Sequence, residues 1–98
     1  MDIAFTDNDL EECARETAKA IRRWGPVIGD RHVQRVVLIA AAPDFAALYR
    51  VRSLRLHRLA CDRSETYSLV VQGRWRLVLS KTSERGVLIR EVSNHYGD

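Results

Sequence analysis

Tyr67-Ser68-Leu69-Val70-Val71-Gln72-Gly73-Arg74-Trp75-Arg76-Leu77-Val78-Leu79 is the stretch that decides the fold. Tyr67, Leu69 and Val71 alternate with Ser68 and Val70, and Trp75, Leu77 and Leu79 alternate with Arg74, Arg76 and Val78. A two-residue period is that of a strand, whose side chains point alternately to opposite faces. Gln72-Gly73 between the runs reads as a hairpin turn, with glycine where positive φ is needed. Downstream, 82–86 reads as a second turn and 87–92 as a last strand. Upstream, Leu54 and Leu56 alternate with Arg55 and His57, which extends the same pattern towards a further strand.

The first half has the other period. Asp2 to Phe5 reads as a short strand, and Thr6-Asp7-Asn8-Asp9 supplies a turn, capping oxygens and first-turn negative charge. Leu10, Ala14, Thr17/Ala18, Ile21 and Trp24 form one helical stripe. Gly25-Pro26 fits a helix stop and a new first turn. A second helix over 26–42 is expected to bury Val33, Val36, Val37 and Ala40, with Pro43-Asp44 breaking it and 45–48 forming a helical turn that packs Phe45 and Leu48 inward. The layout is β-α-α-β-β-β, a single α+β domain over residues 1–98. Two amino-terminal helices would pack on a small, mostly antiparallel sheet.

At 98 residues and 46% hydrophobic, the chain can fill one modest core. No apolar run approaches the length of a membrane span, and the acidic amino terminus is unlike a secretory signal. Cys13 and Cys61 are too few for a disulfide framework or a zinc site, so a reducing cytoplasm is the natural location. Charge is uneven: residues 1–49 carry six Lys/Arg against eight Asp/Glu, residues 50–98 ten against five. That cationic half calls for a polyanion. A solvated arginine-rich sheet whose arginines pair with Glu65, Glu84 or Glu91 is the bland alternative.

Leu56-His57-Arg58-Leu59, Asp62-Arg63 and Val71-Gln72-Gly73-Arg74-Trp75-Arg76-Leu77 resemble the core of the HigB-type toxins of the RelE/ParE superfamily. The pattern there is roughly His-x-Leu-Lys-Gly-Asp-Arg, then Asn-Gly-x-Trp-Arg, then a terminal Asp-Tyr-His. The resemblance covers nearly the whole chain, because the order of elements also matches. It implies a RelE-like fold and a toxin that enters the ribosomal A site and cuts mRNA without a metal or other cofactor. It also implies a neighbouring helix-turn-helix antitoxin, similar to HigA, through which the operator DNA is bound. The chain departs from the pattern in three places. Ala60-Cys61 replaces Lys-Gly, Asn94-His95-Tyr96 replaces Asp-Tyr-His, and the turn is Gln-Gly. The first two bear on activity rather than on fold.

Metal-independent cleavage needs a base for the ribose 2′-hydroxyl, cations on the phosphorane and an acid for the leaving 5′-oxygen. His57, Arg76, His95 and Tyr96 are the catalytic candidates. His57 and His95 would transfer protons, Tyr96 would stack or donate, and Arg76 would hold the phosphate bidentately. Arg55, Arg58, Arg63, Arg74 and Asn94 are the RNA-binding candidates, with Arg74 expected on the face of Arg76. Trp75 reads as core, His32 as structural or surface, and Cys61 has no assigned role. Two other readings stay open, a ParE-like inhibitor of DNA gyrase and an inactive relative that only binds its antitoxin.

Overall fold

The computed structural model describes residues 1–59 and 65–94. The element order is β1 (Asp2–Phe5), α1 (Asn8–Arg15), α2 (Thr17–Ala41), α3 (Phe45–Tyr49), a 3₁₀ turn (Arg52–Leu54), β2 (His57–Arg58), β3 (Thr66–Gln72), β4 (Trp75–Ser83) and β5 (Gly86–Ser93). The strands form one mixed sheet in the order β1-β5-β4-β3-β2. β1 runs parallel to β5, with Ile3 opposite Val87 and Phe5 opposite Ile89, and the other three pairings are antiparallel. The α+β class and the leading strand stand, but the expected order is corrected after it: the helical part has more pieces than two, four strands rather than three follow it, and β1 pairs in parallel.

The helical stripes shift because the chain breaks at a residue the periodicity does not mark. Glu16 is extended (φ −120°, ψ 104°) and ends α1. The register after it moves, so Leu10, Cys13 and Ala20 are buried while Thr17, Ala18 and Ile21 face outward. At Gly25 the break falls where glycine and proline place it. Its φ of 86° interrupts α2, and Pro26 starts the second half. Ile28, Gly29, His32, Val36 and Ile39 form the buried stripe of that half. Val37 and Ala40 are exposed, which corrects the expected face.

Ile28, Val36, Ile39, Phe45, Leu48 and Leu54 pack on Tyr67, Leu69, Val71, Leu77, Leu79, Val87 and Ile89. These strand residues all lie on one sheet face, so the helices occupy that side. The opposite face carries Ser68, Val70, Arg76, Val78 and Glu91, none of which joins that cluster. α3 is fixed by Asp44, whose Oδ1 accepts from the Ala47 amide at 2.9 Å. Asp44→Ala should cost about 1 kcal/mol in a denaturant titration and Asp44→Asn much less, because an amide oxygen also caps. No helix among the described residues is long and apolar enough to cross a membrane.

Candidate nucleic-acid interface

The run Leu54–His57 is not a strand. Leu54 is fully buried and closes the 3₁₀ turn, and Arg55 follows in the left-handed region (φ 48°, ψ 48°). That bend lets a two-residue strand start at His57, opposite Ser68, with Arg58 opposite Tyr67. Alternation then sends the two side chains to opposite faces. His57 lies on the helix-free face and Arg58 on the helix side, and both are exposed. The His57 Nδ1 lies 3.4 Å from the Arg55 carbonyl oxygen, a contact at the long limit of a hydrogen bond.

The hairpin is one residue out of the expected frame. Gln72 pairs with Trp75, so the loop residues are Gly73 and Arg74. Only Gly73 has positive φ (57°), which fits a turn with glycine at its first central position. Arg74 therefore sits exposed in the turn rather than beside Arg76 on a strand face. Arg76 does face the helix-free side, opposite Val70 and Ser93. Its guanidinium folds back and donates from Nη1 to the Gly73 carbonyl at 2.7 Å. Trp75 is half-buried against the core. Asn94 is exposed just past β5, at the Arg76 end of the sheet. Ala60, Cys61, Asp62, Arg63, His95 and Tyr96 lie outside the described residues.

The register gives the spacing of the principal pair. His57 lies opposite Ser68, which lies opposite Val78, two residues from Arg76 on the same strand. Two strand spacings and one two-residue step separate their Cα atoms by about 12 Å. Ser68 and Val78, which lie between them in the register, are buried. Glu91, opposite Val78, puts a carboxylate on the same face.

Glu65 and Glu84, expected partners for the arginines, both pair with Lys81 instead. In the amino-terminal half, Asp9 pairs with Arg23, Glu11 with Arg15, and Glu12 and Glu16 with Lys19. Exposed Arg22 and Arg31 on α2, Arg85 in the β4–β5 turn and Arg90 on β5 have no carboxylate partner among the described residues. Arg50, Arg52, Arg55, Arg58 and Arg74 are exposed and have no carboxylate partner among the described residues. They lie where the chain leaves α3, enters β2 and turns between β3 and β4, with Arg58 opposite Tyr67 at one end of β3 and Arg74 beyond Gln72 at the other.

Two features escaped the sequence reading. Tyr49, a core-type residue by composition, is 53% exposed beside Arg50. Arg35 reaches from α2 to donate to the Val70 carbonyl at 2.9 Å, where the β3–β4 register shifts. Burial and the neighbouring charge of Arg31 push its guanidinium below its ordinary pKa. Among the described residues, no three His, Cys, Asp or Glu side chains are grouped to hold a metal ion. Comparison with protein-family profiles, with curated proteins and with solved structures finds no match to this chain.

Proposed function

We propose that the chain is a HigB-like toxin with a RelE-type fold, a cytoplasmic endoribonuclease that cuts mRNA on translating ribosomes. The observation that carries this reading is an exposed His57 at the β2 edge between exposed Arg55 and Arg58, neither of which has a carboxylate partner among the described residues. Exposed cations beside an imidazole are available to phosphates, and the imidazole can transfer a proton.

In this mechanism His57 takes the proton of the ribose 2′-hydroxyl. The 2′-oxygen bonds to phosphorus and the bond from phosphorus to the 5′-oxygen breaks. Arg76 swings from the Gly73 carbonyl onto the non-bridging oxygens. The 5′-oxygen is protonated by His95 or Tyr96, roles that rest on the family resemblance. The products are a 2′,3′-cyclic phosphate and a 5′-hydroxyl. A helix-turn-helix antitoxin would neutralise the toxin, and the operator DNA would be bound through it.

Primer extension on a long transcript, within minutes of induction in a bacterial host, tests the reading. Discrete cuts within coding regions are expected, and His57→Ala should slow their appearance by about a hundredfold, the lower range for one acid–base group. Growth arrest with intact mRNA would sink it. The engagement of Arg76 with a backbone carbonyl favours a second reading, a scaffold that binds its partner without cutting. Filamentation and a DNA-damage response on induction would point to gyrase; no arrest, with a tight antitoxin complex, would point to a protein without chemistry.

A further inference from the structure

Tyr49 closes α3 with its ring held in place yet largely in solvent. Phe45 meets it edge-on at 6.1 Å and 74°, and Tyr67 at 6.4 Å and 81°. Partial burial and the neighbouring Tyr67 raise the phenol pKa. Yet the residue is 53% exposed. An aromatic ring that is fixed from behind and open in front is prepared for stacking, because little rotamer freedom remains to be lost on binding.

Lys81 and Glu65 are the charged side chains that act on its phenol, and arginines follow it along the chain. Arg50 follows it directly and Arg52 opens the next turn. Arg58 lies opposite Tyr67 in the β2–β3 register, so its side chain leaves the sheet on the face where Tyr67 meets Tyr49. All three arginines are exposed and none has a carboxylate partner among the described residues. The acidic neighbour, Glu65, is engaged by Lys81.

We infer that Tyr49, Arg50, Arg52 and Arg58 form a second contact surface for single-stranded RNA, with a base stacked on Tyr49 and flanking phosphates on the arginines. The surface is on the helix side of the sheet, while His57 is on the other. The two meet only at the β2 edge, where His57 and Arg58 are adjacent and oppositely directed. A strand bound at His57 would cross that edge and place a nucleotide outside the cleavage step on Tyr49. The surface would then set affinity and the reading of a neighbouring base, not the chemistry. The inference rests on the proposed handling of RNA.

The test is fluorescence anisotropy with a labelled oligoadenylate of about ten nucleotides, at low salt, in a His57→Ala background that prevents cleavage. Tyr49→Leu keeps an apolar side chain on the aromatic cluster but removes the stacking plane, and should weaken binding about tenfold. Tyr49→Phe should bind like the parent. Arg50→Ala and Arg58→Ala should each lower the slope of log affinity against log salt by about 0.7, one phosphate contact on a single strand. Melting curves would verify that each variant is folded. Unchanged affinity in Tyr49→Leu, or no binding by the parent protein, would overturn the inference. So would loss of a co-purifying protein partner in Tyr49→Leu with oligonucleotide binding unaffected. Cuts in cells, read by primer extension, would still judge the nuclease reading separately.

Discussion

Gly29→Ala is expected to destabilise the protein by at least about 3 kcal/mol, lowering its melting temperature by about 15 °C. A Cβ at Gly29 would lie 2.6 Å from the carbonyl carbon and oxygen of Ala20 and from the amide nitrogen of Ile21. These are backbone atoms, so no side chain can rotate to make room. Ala20 belongs to the half of α2 before the Gly25 break and Gly29 to the half after it. Both residues are buried, and the two halves cross with main chain against main chain. Adding a methyl group there would prise the halves apart and disturb Ile28 and His32 beside it. Gly25→Ala offers the contrast. Nothing lies within 4 Å of its added Cβ, and the strain is in the backbone alone, at φ 86° and ψ 168°. That substitution should cost about 2 kcal/mol. Equal melting temperatures for the two variants would refute the close crossing.

The second large effect is an acid-induced loss of stability through His32. The imidazole is fully buried, neither ring nitrogen has a hydrogen-bond partner, and Trp24 meets the ring at 4.8 Å. Burial, reinforced by the charge of Arg23, lowers its pKa from 6.5 to about 4. Between these values the unfolded chain binds the proton and the folded chain does not. Stability therefore rises with pH across the window and falls on acidification. The loss should reach about 2 kcal/mol at pH 5 and about 3 kcal/mol at pH 4, relative to neutral pH. His32→Leu should remove this dependence and leave stability at neutral pH unchanged or higher, since two unsatisfied polar atoms vanish. Denaturant titrations of both proteins at neutral pH and at pH 5 would decide; parallel losses would exclude His32 as the cause.

The hairpin and the last strand were legible because alternation over Tyr67–Leu79 and 87–92 leaves one pattern of inward side chains. The Gly25-Pro26 break was legible for a similarly local reason, a glycine with positive φ followed by a first-turn proline. Where tertiary contacts decide, the sequence misled. Glu16 is an ordinary helix former, and its extended backbone reflects how α1 and α2 must turn to bury Cys13 and Ala20 together. Leu54-Arg55-Leu56-His57 alternates like a strand, yet burying Leu54 under the helices draws the segment into a 3₁₀ turn, with Arg55 left-handed. The one-residue displacement of the hairpin followed from treating Gln72 as loop when it still pairs with Trp75.

For the candidate interface, residue types alone picked out His57 and the arginines. Their placement was less accessible. Arg55 and His57 share a face if the run is a strand, but with Arg55 left-handed and β2 starting at His57, the alternation places His57 and Arg58 instead, on opposite faces. Arg76 reads as a free phosphate clamp in the sequence, but folding back on Gly73 depends on the turn geometry. Glu65 and Glu84 looked like partners for arginines until Lys81 engaged both. Tyr49 could not have been singled out, because its exposure depends on Phe45 and Tyr67 occupying the space beneath it.

The parallel pairing of β1 with β5 sets the order in which the molecule can be completed. β5 lies between β1 and β4, so residues 2–5 have no sheet partner until residues 86–89 are present. Closing a loop that spans almost the whole chain is entropically slow, and contacts of such separation lower folding rates. The hairpin β3–β4 can form by itself, whereas β1 must wait on the rest. A nascent chain emerging from the ribosome would thus carry its first strand unpaired, an open hydrogen-bonding edge beside the apolar Ile3 and Phe5, until residues 86–89 have emerged.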